Sequence, residues 1–130
     1  MHKNIKNLIY IQNEIKSKIF EHKIKDYNPN IIAISKTFKI DHILPLIKYG
    51  HIHFGENKIQ EAMDKWLEIK NKNIQIKLHM VGKLQTNKVK FAIKIFDYIH
   101  SVDNYKLAEK IVKYEKELDK KVKTFVQVNI

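Results

Sequence analysis

IKLHMVGKLQTNKVKFAIKIFDYIHSVD, residues 76–103, decides the fold class. Ile76–Val81 reads as a strand, ended by Gly82. Residues 87–96 then carry apolar side chains at helical spacing, and Tyr98–Val102 returns to a short strand. Strand, helix, strand in that order is the βαβ unit, whose two strands lie parallel.

The alternation extends in both directions. Upstream, residues 3–25 form an amphipathic helix with Ile5, Leu8, Ile9, Ile15, Ile19 and Phe20 on its apolar side, ended by Asn28-Pro29-Asn30. Ile31–Ile34 is the first strand. Asp41 caps a helix that runs to Tyr49, with Ile43, Leu44, Leu46 and Ile47 inward, Pro45 near its first turn and Gly50 at its end. His51–Phe54 is the second strand, closed by Gly55, and residues 57–70 are a helix with Ile59, Ala62, Met63, Trp66 and Leu67 on one face. Downstream, Asp103 caps a helix from 104 to 119, and Val122–Ile130 is a fifth strand. The order α-β-α-β-α-β-α-β-α-β points to an α/β protein with a parallel sheet in one domain, residues 1–130. A doubly wound sheet and a partial barrel fit this pattern equally well.

Composition narrows the function classes. The chain has no cysteine, which excludes disulfides and thiolate metal sites and permits a reducing cytoplasm. None of the seven histidines has the H-x-x-x-H spacing of a zinc helix, so no metal is expected. The N-terminal residues carry Lys6, Glu14, Lys16 and Lys18 among periodic apolar positions, unlike a signal peptide or a membrane span, so a soluble cytoplasmic protein is expected. The net charge of +11 invites a nucleic-acid partner. Every basic residue is lysine, however, and the lysines are spread along all segments instead of forming one block. Arginine, the usual reader of bases and phosphates, is absent, which argues against that partner.

In α/β sheets ligand chemistry collects at the C-terminal ends of the strands. Those ends here are Ser35-Lys36-Thr37, Phe54-Gly55-Glu56-Asn57, His79-Met80-Val81-Gly82, His100-Ser101-Val102-Asp103 and Gln127-Val128-Asn129. Lys36 follows an apolar strand directly. A lysine drawn out of water there disfavours its ammonium form, and the neutral amine is the nucleophile that adds to an aldehyde. The alternative is a lysine that snorkels to solvent. Asn57 contacts a ligand or, as spacing alone favours, caps the helix that follows. Glu56 suits the first turn of that helix. His79 is a core histidine or a ligand contact, and Ser101 a ligand contact or a strand-end hydroxyl. Gln85, Thr86 and Asn87 cap a helix or turn N–H groups toward an anion. Trp66 and Tyr98 read as core.

Five blocks in order carry a resemblance: IAISKT at 32–37, FGENKIQEA at 54–62, HMVGKLQTNK at 79–88, HSVD at 100–103 and VQVNI at 126–130. Together they resemble the pyridoxal phosphate homeostasis protein family, which is similar to the N-terminal barrel domain of alanine racemase. Leu78 departs from the family's usual aromatic residue before the histidine. The resemblance implies a (β/α)₈ TIM-type barrel with pyridoxal 5′-phosphate (PLP) at its C-terminal mouth. Of that barrel, residues 1–130 would supply an N-terminal helix and about five strands, with the C-terminal strands and their phosphate contacts missing. It further implies a Schiff base on Lys36, with Asn57 beside the cofactor ring and His79 and Ser101 lining the mouth. The implied role is PLP binding in vitamin B6 homeostasis without turnover, with PLP-dependent apo-enzymes as candidate partners. A racemase-like enzyme and a shortened remnant with impaired PLP binding are the alternatives.

Overall fold

Five strands hydrogen-bond side by side in chain order, β1-β2-β3-β4-β5, and every pair is parallel. The computed structural model describes residues 1–73 and 75–130. Strands and helices alternate as the apolar pattern requires: α1 (Lys3–Glu21), β1 (Ala33–Ile34), α2 (Ile40–Tyr49), β2 (His53–Glu56), α3 (Ile59–Lys72), β3 (Lys77–Met80), a 3₁₀ turn (Thr86–Lys88), α4 (Val89–Ile95), β4 (Tyr98–Val102), α5 (Tyr105–Leu118) and β5 (Lys123–Val126). The chain divides into two units, residues 1–31 with 39–51 and residues 32–38 with 52–130.

The first unit contains α1 and α2. Leu8 of α1 and Ile43 of α2 are buried, and Asn4 Nδ2 donates to His42 O at 2.8 Å. α1 stops at Glu21, well before Pro29. Lys23 adopts a left-handed φ of 53°, its N–H bonds Phe20 O, and Ile24 N–H bonds Ile19 O. This is a Schellman closure, which satisfies the last carbonyls without any proline. Phe20, expected on the apolar face, is exposed. α2 begins at Ile40 with Lys39 as its uncapped N-cap, so Asp41 lies in the first turn instead of capping it. Pro45 sits inside the helix, where its ring nitrogen cannot donate to Asp41 O. Gly50, at φ 104°, ends α2 as expected.

The second unit holds the sheet with α3, α4 and α5. Residues paired in register share a face. One face carries Ala33, Phe54, Leu78, then Glu56, Met80, Ile99 and Thr124; the other carries Ile34, Gly55, His79, Tyr98 and Lys123. The core includes Phe54, Trp66, Leu78, Met80, Ile93, Phe96, Ile99 and Leu107, all nearly inaccessible, with the Phe54 and Trp66 rings 4.8 Å apart. Burying each such side chain contributes about 1.5–3 kcal/mol.

Several boundaries differ from expectation. β2 begins two residues late and includes Gly55, which pairs with Ile34 and His79. A Cβ at Gly55 would lie 2.7 Å from Ile34 Cδ1, so the absent side chain lets β1 and β2 approach on that face. β5 covers four residues, not nine, because pairing with β4 ends at Val126. The true cap of α5 is Asn104, whose Oδ1 accepts from Leu107 N–H at 2.9 Å, whereas Asp103 accepts from Asn104 Nδ2. A register shift between Ile99 and Val102 inserts one residue into β4. It returns Val102 to the face of Ile99, with His100 and Ser101 together opposite Phe125, a device common beside functional sites.

Candidate functional site

The polar groups along the strands and at their exits fall into three connected sets. The first surrounds Lys36. Ser35 is buried; its N–H donates to Gly55 O at 2.9 Å and its hydroxyl donates to Glu56 Oε2. Glu56 lies wholly buried in β2, so the first-turn role expected of it is replaced by a strand position. Its charge is met by Lys65 Nζ of α3, 3.1 Å from Oε1 and 3.2 Å from Oε2. The same ammonium reaches Ser35 O at 2.7 Å and Glu61 Oε1 at 3.0 Å. Glu61 Oε1 also accepts from Thr37 N–H at 2.5 Å. Burial raises the Glu61 pKa, but the hydrogen bonds from Lys65 and from the Thr37 amide outweigh it and hold the carboxyl below its ordinary value. Thr37 sits at φ 67°, a left-handed backbone that a β-branched residue rarely adopts. Ser35 is thus fixed to β2 and α3 and Thr37 to α3, and Lys36 is held between them.

Lys36 itself is exposed. Of its two readings, withdrawal from water and snorkelling to solvent, the exposure matches the second: β1 is only two residues long and the chain turns immediately after it.

The second set joins the next three exits. Asn57 does not cap α3: the N-cap is Lys58, and no side chain caps that helix. Asn57 Oδ1 is buried without a hydrogen-bond partner. Gly82 abuts it so closely that a Cβ there would stand 2.7 Å from Asn57 O and 2.8 Å from Asn57 Cβ. Ser101 Oγ donates to Gly82 O at 2.8 Å. Asn57, just past β2, and Ser101 of β4 therefore meet across Gly82, which lies beyond the end of β3. Among the described residues no hydrogen bond links either of them to Lys36. Gln85, expected as a cap, makes no side-chain cap to the 3₁₀ turn.

The third set lies on the sheet face that carries Gly55. His79 is buried, with His53 Nδ1 2.9 Å from its Nε2 and His100 Nε2 2.8 Å from its Nδ1. Tyr98 stacks on His79 at 4.1 Å and 7°, and Phe125 stacks on His100 at 4.5 Å and 18°. Burial, then the neighbouring His100 and His53, push His79 down to about 4 against a partial opposing pull from Asp97. Burial and the Lys77 charge lower His53, and burial lowers His100. No group of three or more His, Cys, Asp or Glu side chains among the described residues is arranged to hold a metal ion.

Of the expected site residues, the structure brings Asn57 and Ser101 together, sets His79 in an imidazole chain and leaves Lys36 apart. It adds Lys65, Glu61, His53 and His100. The Glu61–Lys65 spacing of i,i+4 was a visible signal for the first two. His100, two residues after Tyr98, shared a face with it by simple strand alternation.

Such a parallel sheet, with its polar side chains gathered at the carboxyl ends of the strands, is the class of α/β protein that binds small ligands there. Known proteins make the class more definite. No family model matches the chain. The pyridoxal phosphate homeostasis protein of Pasteurella multocida (strain Pm70) is 31% identical over 124 residues, which is 95% of this chain and 53% of the relative. That of Buchnera aphidicola subsp. Schizaphis graminum (strain Sg) is 38% identical over 100 residues, 77% of this chain and 43% of the relative. The structure of PipY from Synechococcus elongatus PCC7942 with PLP bound superposes with a TM-score of 0.73 at 34% identity, covering 87% of this chain and 54% of that one. The chain is a homologue of the pyridoxal phosphate homeostasis proteins, as its five motifs indicated. It spans about half the length of the relatives it matches.

Proposed function

We propose that this chain binds PLP at the strand exits, through a Schiff base on Lys36, and serves cytoplasmic vitamin B6 homeostasis without catalytic turnover. Residues 1–130 then form one domain, the N-terminal part of a (β/α)₈ barrel. No helix among the described residues is long and apolar enough to cross a membrane. The observation that carries the reading is the way Lys36 is presented. Its neighbours Ser35 and Thr37 are tied to Glu56, Glu61 and Lys65, while its own side chain is left exposed. A fixed backbone with a free amine is what capture of an aldehyde needs, because little order remains to be imposed on binding.

Asn57 fits the same ligand. A buried amide oxygen without a partner is costly, and a donor on a bound molecule relieves that cost. Asn57 and Ser101 would hold the ring, with His79 beneath them on the neighbouring strand. PLP supplies an aldehyde and a phosphate; the chain supplies the amine, the fixed backbone and the amide. Release of the cofactor to PLP-dependent apo-enzymes belongs to the same proposal.

The test is absorbance of the chain with added PLP, followed by borohydride reduction and peptide mass mapping. The chain has 25 lysines, so selectivity is the informative quantity. Label concentrated on Lys36, and lost in Lys36→Ala, supports the proposal. Label spread over many lysines, or colour unchanged in a folded Lys36→Ala chain, overturns it. Exchange of an amino acid's α-proton in the loaded wild-type chain would refute the absence of turnover.

A further inference from the structure

We propose that the cleft between the start of α3 and the turn joining β3 to α4 binds a small organic phosphate, separately from Lys36. The cleft measures about 480 Å³. Small-molecule sites run from roughly 300 to 1,000 Å³, so this one has room for more than a bare oxyanion. Ile59 and Met80, both buried, give it apolar walls. Lys58, Lys83 and Lys88 bring three ammonium groups to it, and Gln60 and Gln85 add two amides.

The frame of the cleft is fixed. Gly82 lies against the residue before the α3 cap: a Cβ there would stand 2.7 Å from Asn57 O, so a glycine is needed for the two segments to approach this closely. Ser101 Oγ donates to Gly82 O at 2.8 Å and pins the start of the turn. Leu84 and Val89 are buried on either side of the exposed Gln85 and Lys88, and Lys88 N–H closes on Gln85 O at 3.0 Å. The turn is anchored by its apolar residues while its cations remain exposed at the cleft. A frame that is already ordered leaves little entropy to be lost on binding.

Electrostatics selects the ligand. Among the described residues no aspartate or glutamate lines the cleft, and none of its three lysines forms an ion pair. Glu61, in the first turn of α3, is taken by Lys65 and by the Thr37 amide. The start of α3 adds to the positive charge: Lys58 is its N-cap, and no side chain there accepts from the first N–H groups. Three ammonium groups around one cleft without a counter-charge repel one another, and a bound dianion relieves that repulsion. A phosphate monoester meets both features, with a dianion for the lysines and an organic body for Ile59 and Met80. Lysine is suited to it, because an ammonium binds phosphate as a point charge on a flexible stem.

Amide ¹⁵N–¹H NMR of the full chain, titrated with phenyl phosphate at constant ionic strength, tests the site. This probe has no aldehyde and forms no Schiff base, so the result is separate from the Lys36 proposal. The expected result is saturable shifts centred on the amides of Ile59, Gln60 and residues 83–88. Lys83→Gln combined with Lys88→Gln should weaken binding by about tenfold or more, because ammonium–phosphate contacts are charge-assisted. Lys3→Gln combined with Lys6→Gln removes the same charge from exposed positions of α1 and should change the affinity by less than about twofold, since distant exposed charges are screened. Equal weakening in the two double variants overturns the site, as do shifts that follow lysines throughout the chain without saturating. Phenol binding as tightly as phenyl phosphate overturns the anionic assignment; inorganic phosphate binding as tightly overturns the organic one. If the Lys83→Gln, Lys88→Gln chain does not fold, the wild-type shift map and these two control ligands decide.

Discussion

The two faces of the sheet bury polar groups in opposite ways. On the face of Met80, Glu56 is a charged group with no exposure, matched by the Lys65 ammonium and the Ser35 hydroxyl. On the face of Gly55, His53, His79 and His100 are bases whose charged forms are suppressed by burial. The first cluster is held by an ion pair and depends on that partner; the second is joined by imidazole–imidazole hydrogen bonds and is held toward its neutral form. The contrast shows where each is vulnerable: the clamp to loss of a partner, the chain to acid.

Removing the partner should have the largest effect. Lys65→Met leaves Glu56 buried with only a hydroxyl to meet it. The expected loss is about 3–5 kcal/mol, the cost of an uncompensated buried charge. Urea denaturation at neutral pH measures it. Lys65→Met combined with Glu56→Gln should recover most of that loss, since the orphaned charge is gone. A single variant that costs less than about 1 kcal/mol would mean that water already reaches Glu56.

Acid should produce the next largest effect, through the other cluster. The unfolded His79 imidazole takes up a proton near its ordinary value of about 6.5. The folded one resists until about 4. Between those values the unfolded state binds more protons, so stability falls as pH is lowered through that window. Roughly 1–3 kcal/mol should disappear from this residue between the two limits. Denaturation midpoints followed by pH read the slope directly. His79→Phe should flatten it; an unchanged slope would place the acid sensitivity elsewhere.

The legibility of these features in the sequence follows the range of the forces that make them. Strand β4 and the alternation of strands and helices were readable because burial imposes its period locally. Asn104 replaced Asp103 as the cap because neighbouring residues compete for one turn and backbone angles choose between them. The Ser35–Glu56–Lys65 clamp was hidden for a different reason. Its members come from the residue after β1, from β2 and from α3, and the pairing of Ile34 with Gly55 brings the first two together. For Lys36 the apolar run leaves two readings open, an amine drawn out of water and one that snorkels to solvent, because it does not say where the strand stops. The structure makes β1 two residues long, so the amine is exposed. The Asn57–Gly82 approach depends on atoms 25 residues apart, the difference between positions 57 and 82. No local pattern announces it.

The smallest effect expected lies where the clamp meets the candidate site. Glu61→Gln keeps an amide oxygen that can accept from Thr37 N–H but removes the charge that Lys65 faces. The Glu61 side chain is partly exposed, so the ion pair is screened and the global cost should be about 0.5–1 kcal/mol. Its pH signature differs from that of His79. A carboxyl held below its ordinary value stabilises the fold above that value, and the contribution is lost as pH falls through the depressed value. The local consequence should be easier to see than the global one. Thr37 holds a left-handed φ of 67°, which for a non-glycine residue costs about 1–2 kcal/mol, and its N–H bond to Glu61 opposes relaxation. Hydrogen exchange of the Thr37 amide should therefore quicken by about fivefold for a local loss of about 1 kcal/mol. If exchange quickens and selective PLP labelling of Lys36 falls with it, the clamp serves the site by fixing its backbone. If exchange quickens and labelling does not change, Ser35 alone is sufficient to present Lys36, and the charged cluster serves the fold instead.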